Sequence, residues 1–114
     1  MKSIMQADDG TCYLCKLLEG NDWPQQTEEH HAIFGMGKGK RELSERYGLK
    51  VYLCLRHHRT SKVAVHMNHE MAYIIQAHAQ MAYQREQARG NKKFDRDFKD
   101  VFGRYYPMES DEND

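Results

Sequence analysis

Leu53-Cys54-Leu55-Arg56-His57-His58 decides how this chain is read, because it repeats, after 38 intervening residues, the two-residue gap of Cys12-Tyr13-Leu14-Cys15. Zinc takes four soft or borderline ligands in a tetrahedron, and a two-residue gap lets both side chains of a knuckle face one ion. Cys12, Cys15, Cys54 and His57 therefore form a candidate structural zinc site, with His58 the alternative to His57 as fourth ligand. All three cysteines of the chain fall at these positions. An odd number cannot pair off internally, so the spacing favours metal over disulfides and implies a reducing compartment. Two other readings stand beside zinc: three small buried side chains, or a redox dithiol at Cys12 and Cys15, for which no strand-to-helix context is evident.

The rest of the chain is organised around these knuckles. With 114 residues, 39% hydrophobic and 30% charged, it has the size of one domain and a modest core, for which a metal staple matters. Pro24 and the polar residues after it argue against a helix and lead into an extended segment over Glu28–Phe34. Gly35-Met36-Gly37-Lys38-Gly39-Lys40-Arg41 is a glycine-rich basic loop. A short helix is expected over Arg41–Tyr47 with Gly48 past its end, then a strand over Leu49–Cys54. Asn68 is placed to cap a long helix running to about Ala88, with apolar positions at 71, 74, 75, 78, 81 and 82. Phe94, Phe98, Val101, Phe102 and Tyr105 predict a final amphipathic helix ending near Gly103. The expected class is α+β: one domain over 1–114, with a core at 10–67, a helical extension at 68–106 and an acidic, disordered tail at 107–114.

Formal net charge is zero, but it is segregated: residues 38–62 carry eight Lys/Arg against two Glu, whereas residues 1–29 carry two Lys against six Asp/Glu. Lys38, Lys40, Arg41, Arg56, Arg59 and Lys62 are the candidates for phosphate contact, against the plainer alternative of a solvated surface. No apolar run is long enough for a membrane span, and no signal sequence is evident, so a soluble cytoplasmic protein is expected.

Histidines supply the second constellation. His30 and His31 follow Glu28-Glu29, His58 adjoins the zinc candidate, and His66 lies just beyond. A neutral imidazole takes a proton from water near pH 7, and its neighbours hold a divalent cation. His66 is a third ligand or a capping and surface residue; His69 and His78 are read as structural.

These blocks, Cys12–Cys15, His30–Gly35, Ser44–Leu49 and Leu53–Asn68, resemble small phage-encoded nucleases of the HNH, or His-Me finger, group. The resemblance covers about half the chain in scattered segments. It implies a zinc-stapled ββα-metal core, treble-clef-like, followed by one or two helices. It further implies Cys12, Cys15, Cys54 and His57 as zinc ligands, His31 as general base, and His30 and His58, with His66, at a catalytic divalent ion. The sequence departs from the pattern in having His at the position of a more usual Asp (His30) and in lacking an Asn between His31 and His57. Imidazole ligands make Mn²⁺, Ni²⁺ or Zn²⁺ easier to accept than Mg²⁺. The implied activity is metal-dependent DNA endonuclease or nickase in phage or prophage DNA processing, with a recombination protein as a partner some relatives need. The competing expectation is a zinc-stapled nucleic-acid-binding module or regulatory protein without catalysis. A protein-interaction adaptor docking through its C-terminal helix and tail is a third. Whether the long helix packs within a monomer or joins a homodimer is open from sequence.

Overall fold

A computed structural model describes residues 1–34 and 39–108. Helix α1 spans Tyr13–Glu19, strand β1 Thr27–His31, α2 Lys40–Tyr47, β2 Lys50–Cys54, α3 His69–Ala88 and α4 Phe98–Phe102. A five-residue π-helical turn, Arg56–Thr60, follows β2, and a single 3₁₀ turn, Lys92–Phe94, separates α3 from α4. The class is α+β, as expected.

The two strands pair antiparallel, from Thr27 opposite Cys54 to His31 opposite Lys50, with α2 carried in the connection between them. β2 is buried almost throughout because Leu49, Val51 and Leu53 pack inward while the N-terminal segment covers its far edge. There the Tyr52 amide donates to Gln6 Oε1 at 2.8 Å and the Ile4 amide to the Gly48 carbonyl at 2.9 Å. Covering satisfies edge groups that would otherwise invite another strand. Gly48, at φ +70°, ends α2 in the left-handed region, and a Cβ there would lie 2.5 Å from the Lys2 carbonyl oxygen. Only glycine fits that turn.

Asn68 caps α3 by accepting from the Met71 amide, as the sequence predicts. The buried residues of α3 are Ala72, Ile75, Ala77, Ala79, Ala82 and Tyr83, mostly about one residue round from the expected stripe, leaving Met81 52% exposed. Tyr83 turns that face inward by packing edge-on against Tyr47, Phe94 and Phe98. The expected continuous helix from Phe94 is broken instead: Asp97 accepts from the Lys99 amide and starts α4 afresh. Asp favours such a cap over a helix interior. The first knuckle also holds more structure than expected, since Cys12 is the N-cap of α1. Of the acidic tail, Pro107 is held by a hydrogen bond from the Tyr73 hydroxyl at 2.8 Å, and residues 109–114 lie outside the described residues. Among the described residues no helix is long and apolar enough to cross a membrane.

Candidate metal centres and histidine cleft

Cys12, Cys15, Cys54 and His57 come together from the start of α1, the end of β2 and the π-helical turn, and all four are buried. His57 Nδ1 lies 3.6, 3.5 and 3.5 Å from the sulfurs of Cys12, Cys15 and Cys54, and Cys15 Sγ lies 3.8 Å from Cys54 Sγ. With zinc–sulfur bonds of about 2.3 Å and zinc–nitrogen bonds of about 2.0–2.1 Å, a tetrahedron has edges of about 3.8 Å and about 3.55 Å. The donor set thus matches zinc in chemistry and spacing. It also selects His57 over His58, whose ring turns the other way. Burial pushes the Cys15 thiol up to about 12, a cost that a bound dication would reverse by favouring thiolate. Behind the ligands, Glu19 lies 3.6 Å from His57 Nε2, and Arg56 holds Glu19 at 2.8 Å.

The second cluster joins His30, His58 and His66, whose ligand nitrogens all lie within 4.8 Å of one another. Their rings meet edge to edge or tilted, with centroids 5.3 Å apart for His30 and His58, 5.2 Å for His30 and His66, and 4.7 Å for His58 and His66. His66 arrives because the chain folds back after the π-helical turn, the Val65 amide donating to the His57 carbonyl at 2.8 Å and the His66 amide to that of His58 at 3.4 Å. His58 Nε2 and His66 Nε2 are 3.1 Å apart, near the separation of neighbouring ligands on one ion. His30 Nε2 is buried with no hydrogen-bond partner among the described residues. Such an orphan costs about 1–3 kcal/mol unless something occupies its lone pair. Burial, then the neighbouring His58 and His66, push the His30 imidazole down to about 3, so it is neutral and available as a ligand near pH 7. Burial also lowers His66. These three side chains fit a nitrogen-liking divalent cation.

His31 does not join them. Side chains alternate across a strand, so Glu28 and His30 face His58 while Glu29 and His31 face Lys50 and Glu45. His31 Nε2 lies 2.8 Å from Glu45 Oε1, yet the ring still borders the same cleft of about 300 Å³ as His30, His58 and His66. Glu45 is delivered by α2. Its neighbour Ser44, fully buried, accepts from the Ile33 amide at 3.0 Å and donates to the Ile33 carbonyl at 2.8 Å, bolting the helix to the end of β1. The amino group of Met1, then His31 and Lys50, hold the Glu45 carboxyl down at about 2. Glu29, His31 and Glu45 could themselves bracket a cation, but Lys50 Nζ already sits 2.9 Å from Glu29 and 3.1 Å from Glu45. That ammonium fills the cation's place.

The basic segment divides. Arg56 pairs with Glu19, Arg59 with Glu28 at 2.8 Å, and the 5%-exposed Lys50 with Glu29 and Glu45. Arg56 and Arg59, expected to face nucleic acid, are therefore occupied within the chain. Lys40, Arg41 and Lys62 form no ion pair among the described residues, and Arg41 lines the histidine cleft. Lys38 lies outside the described residues. Sequence reasoning missed Glu19, Glu28 and Glu45 as partners of histidines. The signal available was only Glu28-Glu29 directly before the His pair.

No protein-family model, curated protein or solved structure matches this chain.

Proposed function

We propose that this protein is a metal-dependent DNA endonuclease or nickase of the HNH, or His-Me finger, type, its ββα-metal core stapled by zinc at Cys12, Cys15, Cys54 and His57. The observation that carries this reading is the convergence of His30, His58 and His66, with an orphaned buried nitrogen, on a cleft bordered by a carboxylate-tethered His31. His30, His58 and His66 would hold a divalent cation, which would supply Lewis-acid stabilisation of phosphate charge. His31 donates its Nε2 hydrogen to Glu45, which leaves Nδ1 with the lone pair. That nitrogen takes a proton from water as the water oxygen forms its bond to phosphorus and the leaving oxygen's bond breaks. Arg41, in the cleft wall, neutralises phosphate charge.

A module stapled only at Cys12, Cys15, Cys54 and His57 would have no need of a second histidine cluster with a buried nitrogen lacking a partner among the described residues, and this favours the hydrolase reading. The test is conversion of supercoiled plasmid by the zinc-loaded protein in Mg²⁺, Mn²⁺ or Ni²⁺ against EDTA. Nicking that requires the ion, and is faster in Mn²⁺ or Ni²⁺ than in Mg²⁺, is the expected result. No cleavage of plasmid, branched or single-stranded DNA in any ion overturns it.

A further inference from the structure

Arg56-His57-His58-Arg59 presents two histidines in opposite directions, and each is backed by the same device. His57 turns Nδ1 to the three cysteines and Nε2 to Glu19, which Arg56 holds. His58 turns Nε2 to His66 and Nδ1 to Glu28 at 2.7 Å, and Arg59 grips Glu28 through Nε at 3.0 Å and Nη2 at 2.8 Å. Both rings project from the single π-helical turn Arg56–Thr60.

We propose that Glu28 and Arg59 are positioning residues for a divalent-cation site at His30, His58 and His66, fixing His58 as the Nδ1–H tautomer so that Nε2 is its ligand atom. The inference rests on the reading of those three histidines as a cation site. A carboxylate accepting the far N–H of a ligating imidazole both orients the ring and makes it a better donor. Here the carboxylate would otherwise swing on a long, half-buried side chain. The two-point guanidinium fork prevents that in a way a lysine cannot, since it fixes the carboxylate's plane as well as its charge. The pair is assembled from opposite ends of the site's scaffold: Glu28 stands on β1, two residues before His30, and Arg59 follows His58 in the turn. One ion pair thus ties two of the three ligand-bearing segments together on the outer side of His58. Arg59 acts here through Glu28.

The experiment titrates Ni²⁺ into the full chain already loaded with zinc, by calorimetry, with the wild type, Glu28→Ala, Glu28→Gln, Arg59→Ala and Arg59→Lys. The wild type is expected to take one Ni²⁺ beyond its zinc, and His30→Ala to lose it. Glu28→Ala should weaken Ni²⁺ binding by about 10–100-fold, the usual range for an outer-shell partner. Glu28→Gln, whose amide oxygen still accepts from Nδ1–H, should recover part of that loss, and Arg59→Lys less than full affinity. Zinc content should stay at the wild-type level throughout, and Glu19→Ala should leave Ni²⁺ binding unchanged. Long-range ¹H–¹⁵N spectra of the zinc-loaded protein before Ni²⁺ is added should show His58 as the Nδ1–H tautomer in the wild type and mixed in Glu28→Ala, a signature a purely structural ion pair would not move. Unchanged Ni²⁺ affinity and tautomer in Glu28→Ala overturn the positioning role while leaving the cation site standing. Failure of the wild type to take any ion beyond zinc overturns the cation site and the positioning role together.

Discussion

Removing zinc is expected to unfold this protein. The four ligands join the first turn of α1, the end of β2 and the π-helical turn, and every one of them is buried. Without a cation, His57 Nδ1 faces only sulfur, 3.5–3.6 Å away, and three buried thiols crowd one another. Structural zinc sites contribute an apparent free energy of about 10–16 kcal/mol near pH 7. The whole stability of a domain this small is about 5–15 kcal/mol, so the zinc contribution matches or exceeds it. Even a contribution discounted to about 5 kcal/mol corresponds to about 20 °C in Tm, at roughly 4 °C per kcal/mol for a chain of this length. The assay is thermal unfolding followed by circular dichroism, with and without a zinc-selective chelator, and with Cys54→Ser in parallel. The expected outcome is loss of the cooperative transition or a fall in Tm of at least about 20 °C, reversed by adding zinc back. A chelated protein that proves metal-free by elemental analysis yet keeps its Tm within a few degrees would refute the structural role of the site.

Gly48→Ala should cost about 2–3 kcal/mol in urea unfolding, because alanine must adopt φ +70° and place its Cβ 2.5 Å from the Lys2 carbonyl oxygen; stability within about 0.5 kcal/mol of the wild type would show that the turn relaxes freely. In DNA binding, Lys40→Ala, Arg41→Ala and Lys62→Ala should each flatten the dependence of log affinity on log salt by about one unit. Arg56→Ala should leave that slope unchanged, since Arg56 is already neutralised by Glu19, and equal effects at all four positions would contradict this division. His78 accepts from the Tyr13 hydroxyl at 2.7 Å, and burial holds its imidazole below its ordinary value near 6.5. The unfolded chain then binds a proton below that pH while the folded one does not, so this contribution is fully present above about 6.5 and is lost as pH falls toward the folded value. Unfolding of the zinc-saturated protein between pH 7.5 and 5 should therefore lose less stability in His78→Gln than in the wild type, and parallel pH profiles would exclude the effect.

Legibility in the sequence followed the range of the interaction. Short-range signals were readable: the two-residue gaps of the knuckles, the Asn68 cap, Gly48 after α2 and the β-rich run into Cys54 all recur in the structure. Periodicity placed α3 correctly but turned its face by one residue, because the aromatic cluster around Tyr83 fixes the rotation and those partners lie far along the chain. The final helix was overread, since the apolar spacing of Phe94, Phe98 and Phe102 is also satisfied by two short turns with an Asp97 cap between them. The pairing of charges was not legible at all. A sequence displays Arg56 and Arg59 without the Glu19 and Glu28 that pair with them across 37 and 31 positions. Glu45 beside His31, 14 positions away, was hidden for a related reason, since its placement depends on Ser44 anchoring α2 just past the end of β1.

The most direct measurement on the histidine cleft is the nicking rate of supercoiled plasmid by His31→Ala beside the wild type, both loaded with zinc and brought to equal Mn²⁺ occupancy by prior titration. A general base contributes about 10²–10⁴-fold, so the variant should nick at least about a hundredfold more slowly while its Mn²⁺ affinity, zinc content and circular dichroism match the wild type. A His31→Ala protein that nicks within a fewfold of the wild-type rate would contradict the assignment of His31 as the base.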